Sequence, residues 1–276
     1  MHYPKLALSW TIPRLSLHLD KLWRESFTVC RRILIELFRR RITLFFWSGF
    51  PVVVLILNAL ILAERANLSQ AEAFSQSVPA TLIGAALFFS CVGGSVATIV
   101  AEREQRTLKR LFLTPLGGFS YFIGIFLAHS VIGIGQALLV YAITIGCNGQ
   151  FSGSLLLGGA VILLSIMGYV GVGFILGTNL ARRTEDVNSL VATFGVPLLI
   201  LGGAFVPVRI FPESLRTLAQ FNPVYHMIEA LALVLLEPLR WLEISAHIWF
   251  LLAFSTISIV LGWLSYWNMM LVERRL

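Results

Sequence analysis

Charged residues are scarce in this chain. Asp, Glu, Lys and Arg make up 13% of its 276 residues and hydrophobic residues 57%, whereas a typical soluble domain has about 25% charged residues. Each of six apolar runs is long enough to cross about 30 Å of hydrocarbon at about 1.5 Å per helical residue. These runs, none of which contains a charged residue, are approximately 43–63, 79–101, 120–146, 154–180, 188–208 and 246–271. The sequence therefore predicts an all-α membrane protein with six transmembrane helices.

Motifs for catalysis and for cofactor binding are missing. The chain has no Gly-x-x-x-x-Gly-Lys-[Ser/Thr] phosphate loop and no His-Glu-x-x-His motif. Its three cysteines, Cys30, Cys91 and Cys147, are too far apart in sequence to resemble a metal site. We therefore expect no enzyme activity, no metal and no cofactor in this chain, so any ATP must be used by another subunit.

Acidic residues are absent from the apolar runs, which bears on how transport would be powered. We interpret His129, inside the third run, as the lone ionisable group at membrane depth. It is either part of a proton relay or a neutral, hydrogen-bonded packing residue, and we expect the second because no run supplies a carboxylate partner. Since ion-coupled carriers usually need intramembrane charges, energy is expected to enter from outside the bilayer.

Basic residues are distributed unevenly between the two sides of the membrane. If the N-terminus is inside, the inner segments 1–42, 102–119, 181–187 and 272–276 hold 17 of the 21 Lys and Arg residues. The positive-inside rule then places both termini in the cytoplasm. The same rule accounts for the net charge of +7 without any nucleic-acid partner.

The N-terminal segment 1–42 precedes the first apolar run. Residues 1–19 fit a disordered basic tail. From about Asp20 the pattern is that of a basic amphipathic helix, which we expect to lie on the inner membrane surface. The basic residues assigned to this interface helix are Arg31, Arg32, Arg39 and Arg40.

The inner segment 102–116 is the most charged stretch between two apolar runs. Read as a helix, it places Arg103, Arg106 and Arg110 on one face. Leu108, Leu111 and Phe112 fall on another face, and Pro115 cannot continue the helix. The pattern predicts a short amphipathic helix whose apolar face needs a partner; the alternative is a solvated loop that only fixes orientation.

Two short helices are predicted in the outer segment 209–245. One would start near Phe211-Pro212, and the other at Asn222-Pro223. The apolar stretch 224–236, interrupted by His226 and Glu229, would extend only about 20 Å as a helix. We therefore interpret it as re-entrant or interfacial; a seventh span would move the basic C-terminus outside.

Three sequence patterns resemble the type-2 ABC transporter permeases. The first is Glu102-Arg103-Glu104, followed by Thr107-Leu108, Arg110-Leu111 and Thr114-Pro115-Leu116, close to the E-R-E-x-G-T-L-E-R-L-x-x-T-P-L form of that family's cytosolic segment; Arg106 and Lys109 replace the usual Gly and Glu. The others are 203–207 with 211–212, and 221–225 with 229–231. The resemblance covers most of the chain after residue 30.

This resemblance implies a function and partners. The chain would be the permease subunit of an ATP-driven exporter, with a 43–276 permease domain and outer re-entrant helices between the fifth and sixth spans. A separate ATPase would bind ATP and Mg²⁺, and a second permease copy would complete the path. The N-terminal helix would border the ATPase, and the 102–116 coupling helix would contact it through Glu102, Arg103, Glu104, Arg106, Thr107, Leu108 and Leu111. Asp186, in the inner loop, is expected to cap the fifth span.

The cargo and the membrane remain open at this stage. The cytosolic segment most resembles the drug-exporting branch, so a lipophilic or drug-like cargo is expected; polysaccharide or lipid-linked glycan export is the alternative, and an ion-coupled secondary transporter a more distant one. Aromatic residues that would line such a path or pack are Phe88, Phe89, Tyr141, Tyr169 and Phe205. The expected location is a bacterial inner membrane, with a plastid membrane of bacterial ancestry as the alternative.

Overall fold

A computed structural model describes residues 13–105, 107, 116–238 and 240–273. Ten α-helices, a π-helix and a short 3₁₀ turn are present in these residues, which agrees with the predicted all-α architecture. The helices are α1 Pro13–Arg39, α2 Arg41–Ala66, α3 Gln70–Ala80, α4 Gly94–Glu104, α5 Gly118–Gly146, α6 Leu155–Asn179, α7 Thr184–Leu201, α8 Glu213–Ala219, α9 Pro223–Leu236 and α10 Trp241–Glu273. The π-helix Thr81–Gly93 joins α3 to α4, and Val208–Ile210 forms the 3₁₀ turn.

Six helical segments among the described residues are long and apolar enough to cross a membrane, which confirms the predicted number. They are α2, the continuous α3–π-helix–α4 segment, α5, α6, α7 and α10. The second segment is the most buried, with 78% of its most apolar window inside the protein. It therefore forms the centre of the bundle, around which the other helices pack.

The ends of these segments differ from the predicted ends. The second begins at Gln70 rather than near Pro79, because Ser69 and Glu72 form a capping box that starts a helix inside the predicted outer loop. The fifth ends at Leu201 rather than near Val208. It ends early because Gly203, two residues later, takes a left-handed φ of +90° that terminates the helix. The sixth begins at Trp241, earlier than predicted.

The N-terminal helix is longer than predicted. α1 starts at Pro13 and not at about Asp20, so at least part of the expected disordered tail is helical; residues 1–12 lie outside the described part. Val29 and Ile33 pack against the rest of the protein, and Val29 meets Gly124 of α5 so closely that a Cβ there would lie 2.5 Å away. The exposed side of α1 carries an apolar stripe of Leu19, Trp23, Phe27, Ile35 and Phe38, which agrees with the predicted amphipathic helix.

Both helices predicted between the fifth and sixth spans are present. α8 follows Pro212, and α9 begins at Pro223 with the Asn222 side chain accepting a hydrogen bond from the Val224 amide. The two helices meet at an angle of 86°, and neither is long enough to cross about 30 Å. Their re-entrant insertion remains a prediction, and Glu229 lies half-buried on α9.

The glycines of α6 allow close packing on two sides of that helix. A Cβ on Gly168 or Gly171 would collide with Phe254 or Ser258 of α10, and a Cβ on Gly173 would collide with Ser95 of α4. The helix therefore uses its small residues to contact α10 and α4 within the same chain.

Candidate functional site

The site that matters most is at the end of the second span, where the coupling helix was predicted to begin. α4 continues through Glu104, and Gln105 forms a turn. Glu102, Arg103 and Glu104 thus belong to the last turn of the second span, and not to a separate helix as predicted. We call these three residues and their partners the junction.

Glu102 joins the second span to the N-terminal helix. Its carboxylate forms an ion pair and a hydrogen bond with the Arg32 guanidinium, which also donates to the Tyr121 hydroxyl of α5 at 3.3 Å. The Glu102 side chain is 7% exposed and that of Arg32 37%. Although burial alone would lower the pKa of Arg32, nearby Tyr121 and Glu102 raise it above its usual range, so the guanidinium stays charged.

Arg103 joins the second span to the end of α6. Its Nη1 lies 3.3–3.4 Å from the backbone oxygens of Gly177, Thr178 and Ala181. These carbonyls belong to the last turn of α6 and to the residues just after it. Carbonyl oxygens at the end of a helix have no amide of the same helix to bond with. A cation at a helix C-terminus is stabilised both by such hydrogen bonds and by the helix dipole.

Glu104 joins the second span to the start of α7. Its Oε2 accepts hydrogen bonds from the Thr184 hydroxyl and from the Thr184 amide, the latter at 3.2 Å. A carboxylate beside the first amide of a helix is the favourable partner for that end. Asp186 caps the start of this helix, as predicted: from the third helical position its carboxylate accepts from the amide of the N-cap residue Arg183 and from that of Arg182.

A second contact lies at the C-terminal end of the segment between residues 105 and 117, which we call the coupling segment. The Glu25 carboxylate of α1 accepts hydrogen bonds from the Gly117 amide at 3.2 Å and from the Ser120 hydroxyl at 2.6 Å. Burial would raise the pKa of Glu25, but these hydrogen bonds and nearby Lys21 lower it below its usual 4.5, so the carboxylate is charged at neutral pH. α1 therefore holds both ends of the segment between residues 105 and 117.

The other predicted site residues have mixed positions. Arg31 and Arg39 are exposed on α1, while Arg40, just after it, pairs with Glu36 at 2.6 Å. Thr107 is helical and partly exposed. Arg106, Leu108 and Leu111 lie outside the described residues.

The His129 imidazole is a hydrogen-bonded packing residue, as expected. Its Nε2 lies 3.0 Å from the Thr98 hydroxyl and its Nδ1 3.3 Å from the Ser90 carbonyl oxygen. Its ring also fills the space beside Gly94, where a Cβ would lie 2.8 Å from it. It therefore ties α5 to the second span.

An apolar groove opens beside the junction end of the bundle. It has a volume of about 570 Å³ and lies between α2, the π-helix with α4, and α7. Phe50 of α2 and Phe89 of the π-helix both line it and are in edge-to-face contact, with ring centroids 5.3 Å apart. Of the aromatic residues that were expected to line a path, Phe89 lines this groove, whereas Phe88 and Tyr169 are buried in the core.

A comparison with known protein families decides the identity of the chain. The family described as ABC-2 type transporter matches residues 24–236. This chain belongs to the ABC-2 type transporter family. The matched range includes the junction, the groove and α9, so the site described above lies within the part that the family shares.

Individual ABC-2 relatives are more distant. An Escherichia coli protein named "Probable multidrug ABC transporter permease YbhR" is 31% identical over 130 residues, which cover 47% of this chain and 35% of the relative. A Bacillus subtilis transport permease, YvfS, is 24% identical over 144 residues, or 50% of this chain and 58% of the relative. The transport permease ycf38 of Cyanophora paradoxa is 26% identical over 213 residues, 75% of this chain and 72% of the relative. The chain thus matches about a third of the length of YbhR.

The partners of Glu102 and Glu104 at the junction were not predicted. Arg32 was assigned to an interface with another protein, and Thr184 was not singled out. Their partners lie 70 and 80 residues away in sequence, so no local spacing indicates the pairing. The acids at the end of the second apolar run were the available signal. A carboxylate in that position needs a cation or a helix N-terminus nearby, which predicts that a partner exists but does not identify it.

The Arg32–Glu102 pair yields a stability prediction. In Arg32→Met the Glu102 carboxylate stays buried without its cation, so we expect a loss of about 3 kcal/mol. The double variant Arg32→Met/Glu102→Leu removes both charges and should recover most of that loss. The measurement is unfolding of the purified permease in detergent.

Arg31→Met is the matched control, because Arg31 is the exposed neighbour of Arg32. We expect it to change stability by less than about 0.5 kcal/mol. If Arg31→Met were as destabilising as Arg32→Met, or if the double variant were no better than Arg32→Met, the buried pair would not be the stabilising contact.

Proposed function

We propose that this ABC-2 permease is the membrane subunit of an ATP-driven exporter that moves a lipophilic or drug-like cargo outward. A separate ATPase subunit binds ATP and Mg²⁺ and drives the movement. The observation that carries the proposal is the junction: three consecutive side chains join the base of the coupling segment to α1, α6 and α7. Force applied to that segment is therefore distributed to three helices at once.

The junction gives the predicted coupling residues two roles. Glu102, Arg103 and Glu104 make their contacts within the chain, so they transmit force. The direct contact with the ATPase falls to Arg106, Thr107, Leu108 and Leu111, together with the exposed basic residues of α1. Burial supports this division for Glu102, whose carboxylate is 7% exposed and paired with Arg32 and so has little surface to offer another protein. Glu104 is exposed, and its role is assigned from its hydrogen bonds to Thr184.

Movement at the junction reaches the groove through α7. Glu104 contacts the first residue of α7, and Val187, Asn188 and Val191 of the same helix line the groove. Displacement of α4 during the ATPase cycle would therefore shift one wall of the groove against α2. This is the step that we propose opens the outward path.

The groove also supports the choice of cargo. Its wall is mainly apolar and aromatic, and none of the described residues that line it is charged, so it favours a lipophilic molecule over a hydrophilic glycan. The name of the YbhR relative, a multidrug permease, points to the same class.

We further propose that two copies face each other across this groove. α2 and α7, which form two of its walls, are each 22% buried in their most apolar window, as is α10, against 50% for α5 and α6. A homodimer would cover these walls and enclose one path. The distribution of basic residues supports an orientation in which both termini face the cytoplasm. We propose a bacterial inner membrane as the location, with a plastid membrane as the alternative.

The proposal predicts that transport requires a second protein. The permease is reconstituted in proteoliposomes, alone and with the ATPase that co-purifies with it, and uptake of a lipophilic fluorescent dye is measured. Dye movement should need both proteins and Mg-ATP, and it should stop when the phosphate-loop lysine of the ATPase is replaced by Ala. ATP-independent movement of the dye by the permease alone would refute the proposal.

In the same assay, Arg106→Ala should lower ATP-driven transport about tenfold, the effect of removing about 1.4 kcal/mol of contact with the ATPase. Arg65→Ala is the control, because Arg65 is exposed at the end of α2 away from the junction. Equal effects of the two substitutions would argue against a coupling role for the segment.

The groove predicts a change in apparent affinity for the cargo. Phe50→Ala removes an aromatic ring from the groove, so the dye concentration for half-maximal transport should rise about tenfold. Phe45→Ala is the matched control, since Phe45 lies on the same helix and is 74% exposed but does not line the groove. An unchanged concentration in Phe50→Ala would place the cargo elsewhere.

A further inference from the structure

Two histidines meet at the end of the bundle opposite the junction. His226 lies in the first turn of α9 and His247 in the second turn of α10, and their Nδ1 atoms are 2.8 Å apart. His247 lies within the sixth apolar run, so the expectation that His129 is the lone ionisable group at membrane depth is wrong. We call these two residues the histidine pair.

Hydrogen bonding fixes which ring donates. His226 Nε2 lies 2.8 Å from the Gln220 carbonyl oxygen, which can only accept, so Nε2 carries a proton. In a neutral His226 ring, Nδ1 is then the acceptor, and His247 Nδ1 must donate to it. The contact between the rings is therefore a single N–H···N hydrogen bond with a defined direction.

This direction determines how many protons the histidine pair tolerates. A first proton can bind to His247 Nε2 without disturbing the N–H···N bond. A second proton must bind to His226 Nδ1, which turns the acceptor into a donor and places two N–H groups and two positive charges face to face. The bond therefore survives with zero or one bound proton and is lost with two.

The surroundings provide no counter-charge for a doubly protonated pair. The Phe250 ring stacks on His226 at 3.8 Å, and Tyr225 contacts both imidazoles. Among the described residues no carboxylate is hydrogen-bonded to either ring: Glu229 is three residues further along α9, and Glu243, one turn before His247, pairs with Arg240 at 3.2 Å. Of the other elements packed on α9, the π-helix and α6 contain no charged residue, and Glu72 of α3 caps its own helix. The acids of α7, Glu185 and Asp186, lie in its first turn, whereas α9 meets the other end of α7 near Leu198.

We propose that the histidine pair is a proton-operated latch that holds α9 against α10 and releases it when both imidazoles are protonated. The Asn222 side chain, just before α9, donates to the Leu198 carbonyl oxygen of α7 at 2.7 Å, so the latch also positions the far end of a groove-lining helix. With the orientation given under Proposed function, on which the sidedness rests, the latch responds to acid outside the cell.

Hydrogen–deuterium exchange of the purified permease tests this directly. Exchange of the amides of 224–230 is compared at pH 7.5 and at pH 4.5, after correction for the intrinsic pH dependence. The lower pH is chosen because burial lowers the pKa of His226 below its usual 6.5. In the unaltered chain, we expect exchange to be at least about fivefold faster at pH 4.5, the effect of losing one hydrogen bond.

Two variants separate the latch from simple packing. His247→Gln keeps a donor and an acceptor beside His226 but binds no proton, so its exchange should be equal at the two pH values. His247→Ala should exchange fast at both. His18→Gln, which removes a histidine from α1, should retain the response of the unaltered chain.

Equal exchange at both pH values in the unaltered chain, or a retained response in His247→Gln, would overturn the proposal. The measurement needs no ATPase, so its failure would leave the exporter proposal intact. In sealed proteoliposomes, release only by acid on the face that bears residues 181–183 would also overturn the proposal, because the histidine pair lies at the opposite end of the bundle.

Discussion

The buried pair of Arg32 and Glu102 is the constraint on which the rest of the structure depends. A carboxylate at the end of a long apolar segment is costly unless a cation accompanies it, and the cation comes from α1. The N-terminal helix is therefore bound to the most buried span of the bundle rather than only resting on the membrane. Glu25 adds a second attachment near the start of α5, so the segment between residues 105 and 117 is held at both ends by the same helix.

The residues next to Glu102 extend this connection to two more helices. Arg103 meets the carbonyl end of α6 and Glu104 the amide end of α7, so each charge lies at the helix end that it stabilises. Three consecutive charged residues, Glu102, Arg103 and Glu104, thus lie at the end of the second span, where they contact α1, α6 and α7. At the opposite end, the polar contacts between helices include the histidine pair and the hydrogen bond from Asn222 to α7.

Much of the fold could be predicted from the sequence, because the signals were local. Apolar length indicated six spans, and the prolines near residues 212 and 223 indicated α8 and α9. Helix ends were less predictable: the capping box at Ser69 starts a helix in what looked like a loop, and a left-handed Gly203 ends one early. The partners of the site could not be predicted, since Arg32 with Glu102 and Glu104 with Thr184 meet only after folding. His226 and His247, 21 residues apart, were missed for the same reason.

The central claim is that α1, the end of the second span and the start of α7 move as one unit when the proposed ATPase acts. The most direct measurement is the distance between spin labels at Thr28 of α1 and Arg182, just before α7, which are both exposed. In the complex with the ATPase, that distance should be the same without nucleotide and with trapped ATP, while Glu102→Ala should broaden its distribution. A distance that shifts between the two nucleotide states in the unaltered chain would contradict the account.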